Sequence, residues 1–337
     1  MKLVKQLIGF CLLLSSQTNA TVMTVNNNGA GQYSDLNSAY IAATSGDTLL
    51  VSGSALEYSI ATSWAKNIVV IGPGFNASKQ VFKEVKFGPN TFTIASGSRF
   101  LGIRFSNNVN ATANISALYF ESCRFDGDVW PNNFTLTNVT FLNCLFSDPN
   151  SNLRFNQSNV SSILASHCIF LGFITGSNNV HAFNLTLDHC VFLRNNNYFV
   201  NVYNAVISNS IFYGNAALTD IYNSSFNNNL SRLTVANNWA LNGNISSHDT
   251  DAVDPLFLNV PTSGLYNPSW DFHLQNGSPA KGRDSNGSDI GLHDASSTFD
   301  EAGEPQSIPV IRQMILQSVN VAQNDSVTVK VRSTKPR

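Results

Sequence analysis

The sequence predicts an all-β solenoid, a chain wound in short coils so that parallel sheets run along one axis. Two observations carry this. One eight-residue phrase recurs through residues 118–226, and its closing phenylalanines, Phe125, Phe146, Phe170, Phe192, Phe212 and Phe226, stand 21, 24, 22, 20 and 14 residues apart, the period of a coil repeat. Charged residues make up only 12% of the chain, against about 25% in an ordinary globular domain, and Asn, Ser and Thr supply the polarity instead.

The copies are LYFESCRF (118–125), VTFLNCLF (139–146), ILASHCIF (163–170), LTLDHCVF (185–192), AVISNSIF (205–212) and TDIYNSSF (219–226). Each reads as two short strands joined by a bend. Before the bend, Leu185 and Leu187 alternate with Thr186 and Asp188, so the apolar pair faces a core. After it the parity restarts, with Cys190 and Phe192 inward and Val191 outward. The bend itself holds Ser122, Asn143, His167, His189, Asn209 and Asn223, and a sharp stacked corner explains that column because Asn and His tolerate positive φ better than most residues. Strands with one such coil per period must pair with the next coil, which gives parallel sheets.

Residues 1–20 place Lys2 and Lys5 before the apolar run 7–14 and end in Thr18, Asn19 and Ala20, the layout of a secretory signal peptide. The run is too short to span a bilayer, and no other stretch is long and apolar enough. Without the two lysines, 17 basic side chains face 21 acidic ones, a formal charge of −4, so a basic stripe for nucleic acid is absent. The chain is expected to be secreted: extracellular, periplasmic or on the cell surface.

In residues 34–43, Leu36, Ala39, Tyr40 and Ala43 form an amphipathic stripe, with Ser34 as the expected N-cap and Gly46 as the stop. This helix is expected to cover the open edge of the first coil, where unpaired strand invites aggregation. Residues 68–71, 85–87, 92–94 and 100–105 read as early strands, with Gly72, Pro73 and Gly74 as a turn. The expected organisation is a cap over residues 21–48, a β-helix over 49–262 with roughly ten coils and about 45 to 50 Å of length, a C-terminal capping segment over 263–295, and a linker and hairpin tail over 296–337. The hairpin is read from alternation in residues 308–332 around Asn324 and Asp325. Two strands are not stable alone, so they should dock on the helix.

The coil phrase resembles that of right-handed parallel β-helix proteins of the pectate-lyase-like superfamily, in particular secreted bacterial members. Gly46 to Val51 is similar to the family's first coil. Asp254-Pro-Leu-Phe257, Asp271-Phe-His-Leu274, Gly277-Ser-Pro-Ala280 and Asp289-Ile-Gly291 are similar to its closing segment, with Lys281, Gly282, Arg283 and Asp284 standing where the family has an acidic residue and a glycine. The resemblance implies a right-handed fold. It leaves activity open, since the superfamily includes polysaccharide lyases, glycoside hydrolases, adhesins and proteins without known activity.

Candidate chemistry is sparse. Cys123, Cys144, Cys168 and Cys190 share one column, and parallel neighbours about 4.8 Å apart are too far for a disulfide, so free core thiols are expected. His167 and His189 lie one coil apart, but their column mates Ser and Asn favour a corner role over a metal or acid/base pair; no metal site and no cofactor are expected. Asp284, Asn286 and Asp289 resemble a calcium loop without its distal glutamate, and a capping turn is favoured. Glu121 and Asp188 share a column three coils apart, too far for glycosidase partners. The best cluster is Arg104 and Arg124, aligned outward on neighbouring coils, with Glu121, Asp126, Asp128 and Trp130 near in sequence. The arginines would grip an acidic sugar while Trp130 or Tyr119 stacks on a ring; the competing reading, a surface ion-pair ladder, weighs more. Carbohydrate binding or adhesion without catalysis is the favoured function, with a lyase or hydrolase of an acidic polysaccharide as the alternative.

Overall fold

The computed structural model describes residues 20–333 apart from 61–62, 79–82, 112, 131–133, 151, 156–159, 177–183, 234–238, 262–265, 295–298, 310 and 317–328. The expected signal peptide lies outside the described residues except for Ala20. The body is a right-handed parallel β-helix; the repeat predicted the parallel coils and the resemblance implied their hand. Among the described residues its first sheet has eleven strands, running from Val22–Val25 through Ile115–Glu121 and Leu136–Leu142 to Ile245–Ser247. A second sheet has eight, from Val85–Phe87 to Leu230–Ser231, and a third has six, from Phe92–Thr93 to Phe199–Val200.

Among the described residues eight turns carry a strand in both the first and second sheets, about 38 Å of helix, rather than the roughly ten expected. The flanking turns reach the second sheet through single bridges, at Tyr58 and at Thr250. Inward phenylalanines form the core. Phe105, Phe125, Phe146, Phe170, Phe192 and Phe212 stack ring on ring at 4.6 to 5.2 Å, as in-register parallel pairing requires. The four cysteines lie beside them, fully buried and unbonded, with each thiol directed at a carbonyl oxygen such as that of Phe100 or Phe141.

The corner between the first and second sheets is left-handed in successive coils: φ is 50° at Ser122, 53° at Asn143, 52° at His167 and His189, and 51° at Asn209. The column begins one coil earlier, at Gly102 (φ 65°), which splits the expected strand 100–105 in two. A Cβ there would also sit 2.7 Å from the Gly72 carbonyl oxygen, so glycine is required twice over.

The sixth phrase is out of register. Phe226 pairs with Ile207 in the first sheet, not with Phe212 in the second, whose neighbour is Ser231. Asn223 (φ 48°) belongs to a second left-handed corner, with Asn204, and Asn228 (φ 56°) completes the first one. The cause is chemical: both corners use the same Asn-Ser turn. Ser210 donates to the Ser208 carbonyl and accepts from Cys190 N–H, and Ser224 donates to the Tyr222 carbonyl and accepts from Ala205 N–H. The two corners are therefore alike in sequence.

At the N-terminus, Val22–Val25 adds an outer strand to the first sheet, inside the region expected to be cap alone. The helix is Leu36–Ala42, and its N-cap is Asp35, not Ser34, because the Asp35 carboxylate accepts the Ser38 N–H at 2.8 Å. Leu36, Ala39 and Tyr40 are buried in the solenoid core, with Tyr40 stacked on Trp64 at 4.5 Å. Lys66 closes the other end by donating to the carbonyls of Tyr40, Ile41 and Ala43.

The C-terminal segment closes the last coil and then turns back along the side of the solenoid as a strap. Gly291 N–H bonds Asn209 O, the Ser122 hydroxyl bonds Glu304 O, and Ser307 N–H bonds the Glu121 carboxylate. At the first coils, Asn76 holds the carbonyls of Ala302 and Glu301. Gly303 (φ 70°) lets the strap lie directly on the Phe75 ring. Under it, Leu145, Ile169, Val191, Ile211 and Leu230, all outward on the second sheet, are fully buried against Phe257, Phe272, Ile290 and Leu292. The expected tail hairpin is present, Ile311–Leu316 pairing antiparallel with Val329–Ser333, while Asn324 and Asp325 lie outside the described residues.

Candidate functional site

Two groups of side chains are candidates. The first is the arginine cluster. Arg104 and Arg124 are register partners on neighbouring coils, and Lys86 continues their column one coil earlier. Asp126 sits between the arginines, 2.7 Å from Arg104 Nε and 2.6 Å from Arg124 Nε, and Arg104 also reaches Glu84 at 2.9 Å. Lys86 pairs with Glu57. Burial alone would push Asp126 up; the Arg124 and Arg104 guanidiniums outweigh it and hold the carboxyl below the usual range. This is an ion-pair ladder made of alternating charges.

The other residues expected there lie apart. Glu121 is fully buried at the corner, where it accepts from the Tyr119 hydroxyl and Ser307 N–H. Tyr119 is occupied as well, with the Arg99 guanidinium 4.6 Å above its ring. Asp128 faces Arg154 at 3.1 Å near the third sheet. Trp130 contributes its backbone to a third-sheet strand, Val129–Trp130, and its side chain lies outside the described residues. In the stretch 284–289, Asp289 accepts from Gly282 N–H and faces Lys281, while Asp284 N–H bonds Ser288 O, so these residues build a turn.

The second group forms where the strap crosses the corner column. His167 and His189 stack at 4.9 Å with 6° between their planes. Their Nε2 atoms each stand 3.4 Å from one oxygen of Asp294, on the strap. All three side chains are 5 to 6% exposed. The opposite ring nitrogens are held: His167 Nδ1 lies 2.8 Å from the Ser166 hydroxyl, and His189 Nδ1 lies 2.9 Å from Asp188. Asp188 is itself fixed by Ser208 Oγ at 2.6 Å and Asn209 Nδ2 at 3.0 Å. Burial and the neighbouring His189 push His167 down to about 4. Burial also works against a charge on His189, but the Asp188 carboxylate bonded to it prevails and raises its pKa.

Sequence reasoning placed the two histidines together and read them as corner residues, which their backbone confirms. It did not find Asp294. More than a hundred residues separate Asp294 from the histidines, and no local spacing signals that the strap returns there.

Searched against family models and curated proteins, the chain matches none. Among solved structures it resembles the crystal structure of pectate lyase Pel9A, with a TM-score of 0.52 and 13% identity over 82% of this chain and 96% of that one. At this identity the likeness shows the fold alone, a parallel β-helix.

Proposed function

We propose that the chain is an extracellular protein that binds an acidic polysaccharide along the outer face of its second sheet and does not cleave it. The observation that carries this reading is the column Lys86, Arg104 and Arg124, three cations in register on successive coils. A repeating ligand with one carboxylate per sugar meets such a column in repeating fashion, and each charge-assisted contact contributes about 1.5 to 3 kcal/mol. Arg124 reaches Asp126 through its Nε–H, and its side chain keeps 18% of its surface exposed. The structural likeness to a pectate lyase supports an acidic polysaccharide as the ligand class.

The same likeness favours cleavage as the second reading. Against it, Glu84 and Asp126 are engaged by Arg104 and Arg124, and Asp128 by Arg154, which leaves these carboxylates poorly placed for proton transfer. Titration of the chain with polygalacturonate, followed by product analysis, decides between the two. Binding should be saturable, weaken with salt and disappear in Arg104→Gln/Asp126→Asn/Arg124→Gln. Undiminished binding by that variant removes the proposed face, and release of unsaturated oligouronides transfers the chain to the lyases.

A further inference from the structure

We propose that His167, His189 and Asp294 form a binding site for a zinc-like divalent ion, which fastens the C-terminal strap to two neighbouring coils. Three features point there. Two donors on a tetrahedral zinc, each about 2.0 to 2.1 Å from it, stand about 3.4 Å apart; both histidine Nε2 atoms are 3.4 Å from the same Asp294 oxygen, and all three donor atoms lie within 4.8 Å of one another. Both Nε2 atoms are buried and meet no hydrogen bond of good geometry, a costly state for polar atoms that a bond to a metal relieves. Each Nδ1 is held from behind, by Asp188 at 2.9 Å and by the Ser166 hydroxyl at 2.8 Å. With the Nδ1 proton donated there, the Nε2 lone pair is left for a metal, which is the outer-shell arrangement of metal-binding histidines.

Two nitrogen donors and one carboxylate select a borderline ion such as Zn²⁺ or Co²⁺ over the hard ions Ca²⁺ and Mg²⁺, which take oxygen ligands. A lone pair lies in the plane of its ring. The nearly parallel rings, 4.9 Å apart, must therefore each swivel about Cβ–Cγ to meet at one ion.

The test uses the full chain, stripped of metal with a chelator. Titration with Co²⁺ should show one equivalent taken up, with the visible absorption of a tetrahedral site, displaced by Zn²⁺ and unaffected by Ca²⁺ or Mg²⁺. The decisive variant is His167→Asn/His189→Asn. Asparagine already occupies the same corner in the adjacent coils, at Asn143 and Asn209, with φ of 53° and 51°, so the metal-free variant should keep the wild-type circular dichroism and melting midpoint while losing at least about 100-fold in affinity. Asp188→Asn should still bind, about 10- to 100-fold more weakly. Absence of saturable uptake by the wild type overturns the proposal. So does unchanged uptake by the double variant, which would move the ion to the His273, His293 and Glu301 group on the strap.

Discussion

The outward column of the second sheet is two surfaces in series. Its first three coils carry Lys86, Arg104 and Arg124, and its next five carry Leu145, Ile169, Val191, Ile211 and Leu230. The backbone is the same in both halves, and the inward residue is phenylalanine in every coil except the last, where it is Ser231. One residue per coil therefore decides whether the face is covered. The aliphatic half is sealed by the strap at full burial, where each side chain of this kind contributes about 1.5 to 3 kcal/mol, whereas the cationic half keeps 18 to 29% of its side-chain surface exposed and is neutralised by neighbouring acids.

The largest expected effect comes from moving one half's chemistry into the other. Ile169→Lys places an ammonium under the strap with no acid beside it and should destabilise the protein by about 3 to 5 kcal/mol, the cost of an uncompensated buried charge. Urea denaturation measures this; a loss below about 1 kcal/mol would mean that the strap does not seal the column. In the cationic half, Arg104→Gln/Arg124→Gln should cost only about 1 to 2 kcal/mol, most of it from leaving Asp126 without its partners, and adding Asp126→Asn should recover much of that. Losses equal to those of Ile169→Lys would erase the distinction between the halves.

The smallest effect is the response to acid. Because the folded pKa of Asp126 is depressed, its contribution is complete above the ordinary carboxylate range and is lost as pH falls through its lower, folded value. The stability difference between wild type and Arg104→Gln/Arg124→Gln should shrink below about pH 4, while the penalty of Ile169→Lys should persist. A difference that stays constant down to pH 2 would show that Asp126 is not held by the arginines.

The coil architecture was legible because its signal is local and repeated: phenylalanine at most second-sheet positions, Asn or His at most corners, and cysteine beside four of them. Register failed where the signal was also repeated. The Asn-Ser turn at Asn223 is chemically the same as that at Asn209, and only the 14-residue step to Phe226, short for a coil, hinted at a different corner. The arginine pairing was readable from the phrase, whereas the separation of Glu121 and Asp128 from it depends on which sheet each faces. The outward switch from Arg124 to Leu145, Ile169 and Val191 was present in the sequence, but it acquires meaning only once the strap is seen to cover it. Asp294 belongs to the same class of long-range contact.

The strap also sets an order of events. Its anchoring points run backwards along the solenoid, from Asn209 through Ser122 to Asn76, so its last residues meet the coils made first. Coils can stack on one another as they are synthesised, through contacts between neighbours in sequence. The five aliphatic side chains on the second sheet, however, stay bare until residues 253–299 have emerged. Closing loops of this length is slow, and a row of exposed aliphatics on a half-finished chain favours association with other chains. Refolding should therefore show a fast phase, in which coil strands form, followed by a slower one in which the strap docks and the apolar face disappears from solvent.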